Sequence, residues 1–415
     1  MSLATVILAA GKGTRMRSVV PKPLQPICGQ PMLAFLLERA HEAGSKKTIV
    51  VAGHQIEKIR AALGKRTIVI EQKQQLGSGH AVSQSARLLA ASSGSVLVLY
   101  CDTPLIKKET LKELLDNHRR QGTDATILSF ESPRPAGYGR VKRGADGRVS
   151  GIVEESEASD EERTIREINV GCYVFNAKKL FSALKRVQKS PVKKEFYLTD
   201  VIGLLSQEGR VEAVKTGDHE ETLGVNTLAD LAVIRSVMQK RICERWMSEG
   251  VAIQDPKSTF IDSDVRIGQD TVLLPHTVIA EGSRIGDRCV IGPFARIRGS
   301  SRIGPQSVIG NFVEIVRSHI GIATQVKHLS YLGDARVGDR VNVGAGTITA
   351  NYDGKNKHVT VIRDRAQIGS GTILVAPTIV GYGAKTGAGA VVTKGTRVKD
   401  GATYVGVPAK ELRAK

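Results

Sequence analysis

Residues 262–315 divide into groups of six: DSDVRI GQDTVL LPHTVI AEGSRI GDRCVI GPFARI RGSSRI GPQSVI GNFVEI. Every group ends in Ile or Leu, so an aliphatic side chain recurs at each sixth position from Ile261 to Ile315. Neither the 3.6-residue period of an α-helix nor the two-residue period of a flat strand explains this spacing. A six-residue period, mostly with Gly after the aliphatic residue, is typical of a left-handed parallel β-helix, in which three hexads form one coil.

The same period returns in a second register, formed by Ile362, Ile368, Leu374, Val380, Val392 and Val398. The regular spacing breaks near His319–Ile320 and again across 350–358. Insertions in a solenoid project as loops, and we therefore expect a functional site at these breaks. Flat faces of such a coil would leave apolar patches in water, so we also expect a homotrimer assembled through the β-helix.

Upstream of the repeat, as far as Asn226, apolar strands such as Lys47–Ala52 and Ser95–Tyr100 alternate with amphipathic stretches. This alternation predicts a mostly parallel sheet with helices on both faces, which is a Rossmann-like α/β domain. Apolar residues then recur every three or four positions, which predicts a linker helix. The predicted domains are a Rossmann-like α/β domain (1–226), a linker helix (227–249) and a left-handed β-helix domain (250–415).

The composition favours a cytoplasmic protein that binds anionic small molecules. The 415 residues include 60 Lys plus Arg and 41 Asp plus Glu, a formal net charge of +19. A field of that sign concentrates nucleotides and sugar phosphates. Nucleic acid binding and a merely solvated basic surface are the alternatives, but only 4% of the residues are aromatic. No apolar run suits a membrane span or signal core, and the five cysteines lack the spacing of a zinc site or disulfide framework. We therefore expect neither a membrane nor nucleic acid as a partner.

A glycine-rich turn follows the first apolar strand. In residues 5–16, TVILAAGKGTRM, Gly11 and Gly13 let backbone N–H groups approach phosphate oxygens. Three cations add fixed positive charge: Lys12, Arg15 and Lys22. The turn lacks the Gly-Lys-Ser/Thr of a Walker loop and the third glycine of a dinucleotide-binding turn. It predicts a triphosphate site, and the alternative is a turn that only connects a strand to a helix.

Two oxygen-bearing side chains are candidates for a metal site. Asp102 comes just after the strand that ends at Tyr100, where open α/β sheets bind ligands. Asn226 closes the motif GVN. Carboxylate and amide oxygens suit Mg²⁺. The alternative for Asp102 is a helix cap.

The glycine-rich turn and residues 21–24, PKPL, together resemble the signature of sugar-1-phosphate nucleotidylyltransferases. From Leu8 to about Ala409 the chain resembles the bifunctional family that joins an N-acetylglucosamine-1-phosphate uridylyltransferase to a glucosamine-1-phosphate N-acetyltransferase. The resemblance implies acetylation of glucosamine-1-phosphate by acetyl-CoA. Uridylyl transfer from UTP to N-acetylglucosamine-1-phosphate would follow, with Mg²⁺ as cofactor.

By this resemblance, Arg15 and Lys22 are catalytic cations of the uridylyl site. The residues around UDP-N-acetylglucosamine are implied to be Leu8, Ala9, Ala10, Gly11, Lys22, Gln72, Gly77, Ser78, Tyr100, Cys101, Asp102, Gly139, Glu154, Asn169 and Asn226. Gln72 can pair with the imide edge of uracil, and Gly77 permits close approach. Without the family, Glu154 and Asn169 are equally well explained as a surface acid and a turn amide.

For acetyl transfer, the resemblance implies that His328, in KHLSYLGD, is the catalytic base, a task that suits imidazole at neutral pH. The implied sugar-phosphate residues are Arg298, Tyr331, Asn342 and Lys357. The implied acetyl-CoA residues are Ala345, Asn351, Tyr352, Ser370 and Ala388. Without the family, His328 would be an inert surface residue and NYDG (351–354) an exposed turn.

One departure from the family pattern bears on activity. After residues 312–315, FVEI, the family has a phosphate-binding Lys, whereas this chain has Val316 followed by Arg317. Adjacent strand residues face opposite sides, so Arg317 replaces the missing cation only if the strand bulges. Loss of a charge-assisted contact costs ~1.5–3 kcal/mol.

Three functions are therefore compared. The expected one is the bifunctional enzyme. The second is a monofunctional or broad-specificity sugar-1-phosphate nucleotidylyltransferase whose β-helix mainly trimerises it. The third is a non-catalytic regulatory subunit of the same architecture, which the set Lys22, Asp102 and Asn226 disfavours.

Overall fold

The computed structural model of the protein describes residues 2–64, 67–91 and 94–412. Their contacts divide them into two compact units. The α/β unit holds the positions up to Ile27 and from Pro31 to Arg235, and the solenoid unit holds Cys28–Gln30 and the positions from Ser236 onward. No helix in the described ranges is long and apolar enough to cross a membrane.

The strands described up to residue 215 are β1 (Leu3–Ala9), β2 (Pro26–Ile27), β3 (Gln30–Pro31), β4 (Lys47–Ala52), β5 (Ile68–Glu71), β6 (Ser95–Tyr100), β7 (Ala125–Glu131), β8 (Arg140–Arg143), β9 (Val149–Val153), β10 (Glu167–Asn176) and β11 (Val211–Lys215). The described α-helices are α1 (Met32–Glu42), α2 (Ile56–Leu63), α3 (Ser78–Ser83), α4 (Ala86–Leu89), α5 (Lys108–Gln121), α6 (Asp160–Arg163), α7 (Ala177–Leu184), α8 (Thr199–Glu208) and α9 (Leu228–Ser248). Short 3₁₀ turns cover Thr14–Met16, Lys22–Leu24 and His219–Thr222.

The main sheet of the α/β unit has the strand order β11-β7-β10-β6-β1-β4-β5. Its neighbours are parallel except around β10, which runs antiparallel to β6 and β7. All seven residues of β1 are buried because both faces of the sheet are covered. Val6 and Leu8 belong to one apolar core, and Ile7 and Ala9 to the other. This confirms the predicted mixed α/β domain with helices on both faces.

The solenoid strands are β12 (Ala252–Ile253), β13 (Phe260–Ile261), β14 (Arg266–Ile267), β15 (Val272–Leu273), β16 (Val278–Ile279), β17 (Arg284–Ile285), β18 (Val290–Ile291), β19 (Arg296–Arg298), β20 (Arg302–Ile303), β21 (Val308–Asn311), β22 (Glu314–Val316), β23 (His319–Ile320), β24 (Gln325–His328), β25 (Tyr331–Gly333), β26 (Ala335–Val337), β27 (Asn342–Val343), β28 (Ile348–Ala350), β29 (Thr360–Ile362), β30 (Gln367–Ile368), β31 (Ile373–Val375), β32 (Thr378–Val380), β33 (Lys385–Thr386), β34 (Val391–Val392), β35 (Arg397–Val398), β36 (Thr403–Val405) and β37 (Lys410–Glu411). Every third strand belongs to the same parallel sheet, which gives a first face beginning at β12, a second at β13 and a third at β14.

The predicted aliphatic column forms the core of this β-helix. Every sixth residue from Ile261 to Ile315 is buried in one apolar cluster, and the second half of α9 contributes Ile242 and Trp246 to the same cluster. The break near Ile320 and the loop at 350–358 lie where they were predicted. A further five-residue step, from Leu332 to Val337, was not predicted, and it lies beside the loop-bearing coil.

His118 on α5 makes the stability of the α/β unit sensitive to acid. Its ring is 5% exposed, and its Nδ1 lies 2.9 Å from Thr123 Oγ1. Burial, reinforced by the charge of Arg119, lowers the pKa of His118 from 6.5 to about 4. The unfolded chain therefore binds a proton at His118 more tightly than the folded chain does. The buried neutral ring contributes its full stabilisation of the folded state above pH 6.5, and this contribution is lost as the pH falls towards 4.

We expect acidification from pH 7 to pH 4.5 to lower the free energy of unfolding by about 3 kcal/mol through His118. Burial raises the pKa of Asp200 to about 6, so the protonation of Asp200 on acidification favours the folded state and opposes the effect of His118. The free energy of unfolding in urea is therefore measured at pH 7 and at pH 4.5 for both the wild type and His118→Gln, and the change with pH is compared between the two proteins. The His118→Gln variant should lose less stability on acidification, and equal losses would contradict the assignment.

Candidate active site

A cavity of 750 Å³ opens in the α/β unit at the carboxyl ends of β1 and β6. Most of the residues predicted for the uridylyl site line it together: Leu8, Ala9, Ala10, Gly11, Arg15, Lys22, Gln72, Gly77, Ser78, Tyr100, Cys101, Asp102 and Asn226. The two strands are parallel neighbours, with Leu8 opposite Tyr100, so the residues that follow each strand meet at one edge of the sheet.

The glycine-rich turn shapes one wall of this cavity. Gly13 has φ +60° and precedes the 3₁₀ turn Thr14–Met16. A Cβ on Gly13 would come within 3.0 Å of the Cβ of Lys22, so glycine lets the Lys22 side chain pack against the turn. Lys12 and Arg15 also line the cavity, which gathers the three predicted cations at one end.

Two cation–oxygen pairs lie at the centre of the cavity. Lys22 Nζ lies 2.7 Å from Asp102 Oδ2, and Arg15 Nη2 donates to Asn226 Oδ1 at 2.8 Å. The backbone N–H of Val225 donates to the carbonyl of Asp102 at 2.8 Å, which brings the two oxygen-bearing residues side by side. Each predicted metal ligand is therefore bound by a cation predicted to bind phosphate, through an ion pair at Asp102 and a hydrogen bond at Asn226.

The oxygens of Asp102 and Asn226 fit a magnesium ion. Both side chains offer hard oxygen ligands, and both line the cavity together with the cations predicted to bind phosphate. Magnesium in nucleotide sites takes few protein ligands and fills its other positions with water and substrate phosphates. The described part of the chain has no cluster of three or more His, Cys, Asp or Glu residues of the kind that holds a dedicated metal ion.

Asp230 holds Asn226 in place, and the sequence analysis did not identify it. Its carboxylate accepts the backbone N–H groups of Asn226 at 2.9 Å and Thr227 at 2.8 Å, while Thr227 Oγ1 accepts the N–H of Asp230. Burial alone would raise the pKa of Asp230, but these N–H donors keep its pKa below the usual value. The available signal was the capping pattern Thr-x-x-Asp at the start of α9.

The opposite end of the cavity carries the predicted uracil contacts. Gln72 is 3% exposed, and its Nε2 lies 3.0 Å from both the carbonyl oxygen of Gly77 and the Nδ1 of His80. These two partners fix the side-chain amide of Gln72. Gly77 has φ +103°, and a Cβ there would come within 2.5 Å of the Phe196 carbonyl oxygen. His80 was not predicted as a site residue.

The predicted sugar residues Gly139, Glu154 and Asn169 do not line this cavity, but they lie close to one another. The carbonyl of Gly139 accepts the N–H of Asn169 at 2.9 Å. Asn169 Nδ2 donates to Tyr173, whose ring centroid lies 6.2 Å from that of Tyr100 in the cavity wall. Burial raises the pKa of Glu154 above its usual value.

Arg140 supports this sugar group and was also missed. Its guanidinium is buried, forms an ion pair with Glu155 at 2.7 Å and donates to the carbonyl oxygen of Tyr138. Glu155 also accepts the N–H of Gly137, so the ion pair fixes the GYG loop that carries Gly139. Buried Arg–carboxylate pairs of this kind position a backbone rather than add much stability.

In the solenoid unit, His328 ends β24 with its side chain exposed. Its Nδ1 lies 2.9 Å from Asn311 Oδ1 on the preceding coil, and the two residues are in register. An amide oxygen accepts, so this pairing places the proton on Nδ1 and leaves the Nε2 lone pair free. Asn311 was not predicted as a site residue, because it lies 17 positions away in the sequence.

The departure at Val316 lies on the second face. Arg298, Val316 and Gly333 are in register on neighbouring strands, and Val316 is fully buried. Arg317 has φ +47°, and its guanidinium binds both oxygens of Asp334 at 2.7 and 2.8 Å. Arg317 is therefore occupied by Asp334 and does not replace the missing lysine. The Nε of Arg298 is paired with Glu314 at 2.8 Å.

The other predicted acetyl-transfer residues lie on the same part of the solenoid. Tyr331 is on β25 of the second face. Asn342 is on β27 of the first face, which pairs with β24, the strand that ends at His328. Asn351 donates to Asp334, and Tyr352 pairs with Lys357 across the projecting loop. The predicted acetyl-CoA residues Ala345, Ser370 and Ala388 follow one corner of successive coils. They form a continuous track along that corner.

Comparison with known proteins matches both units. A model described as "MobA-like NTP transferase domain" matches residues 5–197, and "Bacterial transferase hexapeptide (six repeats)" matches residues 264–299 and 282–317. The chain is 43% identical to "Bifunctional protein GlmU" of Shouchella clausii (strain KSM-K16) over 428 residues, which cover 94% of this chain and 93% of that protein. It is 44% identical to the protein of the same name from Geobacillus sp. (strain WCH70) over 422 residues, with 94% and 92% covered.

Proposed function

The chain belongs to the bifunctional GlmU family, and from that premise we propose which of its residues perform each reaction. The function is the synthesis of UDP-N-acetylglucosamine by an N-acetyltransferase and a nucleotidyltransferase in one chain. We assign uridylyl transfer to the cavity of the α/β unit and acetyl transfer to the solenoid around His328. The observation that supports the first assignment most strongly is the pair of contacts Lys22–Asp102 and Arg15–Asn226.

In uridylyl transfer, a sugar phosphate oxygen attacks the α-phosphorus of UTP and pyrophosphate leaves. Such reactions need positioning and neutralisation of charge more than covalent help. Lys22 and Arg15 would leave Asp102 and Asn226 for the phosphates as substrate enters, and the freed oxygens would hold Mg²⁺. The metal would neutralise phosphate charge when bound. Gln72 would orient uracil, while Gly139, Glu154 and Asn169 would bind the sugar hydroxyls.

The uridylyl assignment is tested by a panel of nucleotides and sugar phosphates, with pyrophosphate release as the readout. UTP with N-acetylglucosamine-1-phosphate should give a kcat/KM at least about tenfold above any other pair, because buried polar groups left without a substrate partner penalise the wrong sugar or base. Equal rates with glucose-1-phosphate would instead support the broad-specificity alternative.

In acetyl transfer, the amine of glucosamine-1-phosphate attacks the thioester carbonyl of acetyl-CoA, and CoA leaves as the thiolate. His328 Nε2 would take the proton that the amine loses, because Asn311 holds the other ring nitrogen in its protonated form. Arg298, Tyr331, Asn342 and Lys357 would bind the sugar phosphate, and the corner track would bind acetyl-CoA. We also propose a homotrimer, since apolar side chains such as Phe260, Val278 and Ile348 face outward on the second face.

Val316→Lys should lower the KM for glucosamine-1-phosphate about tenfold, with kcat little changed, because it restores a cation between Arg298 and Gly333. The measurement is CoA release at varied sugar phosphate. Val316→Met is the matched control, since it adds length without charge and should leave the KM unchanged. If both variants behave alike, the phosphate does not lie over Val316.

The cytoplasm is the proposed compartment. The five cysteines are all free thiols, and four of them are buried. A reducing compartment keeps such thiols free, and it is where the nucleotide and acetyl-CoA substrates are available.

A further inference from the structure

The third face of the solenoid carries a row of four exposed arginines and one histidine that form no ion pair with any other described residue. Its outward positions in five successive coils form what we call the arginine ladder: Arg266, Arg284, Arg302, His319 and Arg336. All five side chains are exposed. Neighbouring strands lie about 4.8 Å apart, so the ladder is a straight row roughly 19 Å long. None of the residues predicted for either reaction lies on a third-face strand.

The ladder has no carboxylate partners within the part of the chain that the structure describes. Some arginines elsewhere on the solenoid do form ion pairs, such as Arg298 with Glu314 and Arg317 with Asp334. Three acids at the corners beside the ladder each bind a backbone N–H of the neighbouring coil instead: Asp264, Asp287 and Asp339. Like charges directly opposite each other on neighbouring strands destabilise a sheet. A row of this kind is therefore a cost to folding that an anionic partner would offset.

Beyond the ladder, two outward positions of the same face are apolar before the row ends at Arg397. The next outward residues in the row are Val361 and Ile379, both half-buried, and Tyr382 at the adjoining corner is 47% exposed. Arg336, Arg363, Val361 and Tyr382 line a hollow of 440 Å³ where the charged and apolar parts meet. Guanidinium groups beside exposed apolar side chains suit the boundary between phospholipid headgroups and acyl chains.

We propose that the third face docks on the surface of a lipid bilayer that contains anionic phospholipids. The arginines would bind headgroup phosphates in the bidentate manner that guanidinium favours, and the hollow at Val361 and Tyr382 would meet the acyl boundary. This contact is peripheral and needs no membrane-spanning helix. It departs from the sequence-based expectation that no membrane is a partner, which rested on the absence of an apolar span.

Two other occupants fit less well. The two other solenoid faces of a second copy offer no matching row of carboxylates among their described strands, because their outward columns are largely apolar or neutral and Glu314 is already paired. Single-stranded nucleic acid is bound through aromatic side chains on which the bases stack, and the ladder contains no Phe, Tyr or Trp.

The test is co-sedimentation of the full-length protein with vesicles of phosphatidylglycerol and phosphatidylcholine in equal amounts, compared with phosphatidylcholine alone. The wild type should bind the anionic vesicles at low salt and be released at high salt. The triple variant Arg266→Gln, Arg284→Gln, Arg302→Gln should bind them about 100-fold more weakly. Its CoA release from acetyl-CoA and glucosamine-1-phosphate should match the wild type, which shows that the solenoid unit is folded.

The matched control is Lys112→Gln, Arg120→Gln, Lys178→Gln, which removes the same charge from exposed helix positions of the α/β unit. This control should bind the anionic vesicles as the wild type does. If the ladder variant and the control lose binding equally, only net charge matters and the proposal is wrong. Binding of the wild type to a short DNA duplex but not to the vesicles would likewise overturn it.

Discussion

Asp102→Ala should lower the rate of pyrophosphate release from UTP and N-acetylglucosamine-1-phosphate about 10³-fold, because a preorganised group facing the charge of the transition state is lost. The substitution removes one proposed metal ligand and also the partner that holds Lys22 Nζ at 2.7 Å. Both losses fall on the triphosphate end of the cavity. The loss should appear in kcat with saturating Mg²⁺, because Asn226 alone cannot restore the arrangement.

Acetyl transfer by the same Asp102→Ala protein should be unchanged, since His328 and its partners lie in the solenoid unit. CoA release from acetyl-CoA and glucosamine-1-phosphate therefore serves as an internal control for folding. Asp116→Ala is the matched control variant, because Asp116 is an exposed acid of α5 outside the cavity. If Asp102→Ala impairs both activities equally, the two reactions do not have separate sites.

The fold was largely predictable because its strongest signals are periodic. In β1, alternate apolar residues face alternate cores, with Val6 and Leu8 in one and Ile7 and Ala9 in the other. In the solenoid, every sixth residue from Ile261 faces the core, so each pattern repeats many times along the sequence. The five-residue step between Leu332 and Val337 escaped prediction because only two hexads separate it from the break at Ile320, so no long run of the period precedes it. Its place becomes evident only when the coil beside the projecting loop is stacked on its neighbour.

The site residues were predictable where one sequence motif contains several of them. They were less predictable where a residue only positions another residue of the site. Asn311 reaches His328 only because one coil separates them, and Arg140 fixes the GYG loop through Glu155. Neither contact has a local sequence pattern. Arg317 is a case in which sequence position alone misleads. It lies next to Val316, so it could have replaced the lysine that the family has there, but the structure pairs its guanidinium with both oxygens of Asp334 instead.

His328→Ala should lower CoA release about 10³-fold while pyrophosphate release stays at the wild-type rate, because general base catalysis contributes on this scale. The loss should fall on kcat, with the KM for acetyl-CoA little changed, since the corner track of Ala345, Ser370 and Ala388 is untouched. A loss confined to KM would instead make His328 a binding residue.

Asn311 distinguishes a positioned base from a merely structural histidine. Asn311→Ala should lower kcat roughly tenfold, because the ring loses the partner that fixes its tautomer. Asn311→Asp should shift the acid limb of the pH–rate profile for CoA release to higher pH, because a carboxylate beside the ring favours the protonated imidazolium. A structural contact would change stability and leave that profile in place. An unshifted profile, with kcat of Asn311→Asp equal to wild type, would therefore remove Asn311 from the mechanism and leave His328 without its proposed orientation.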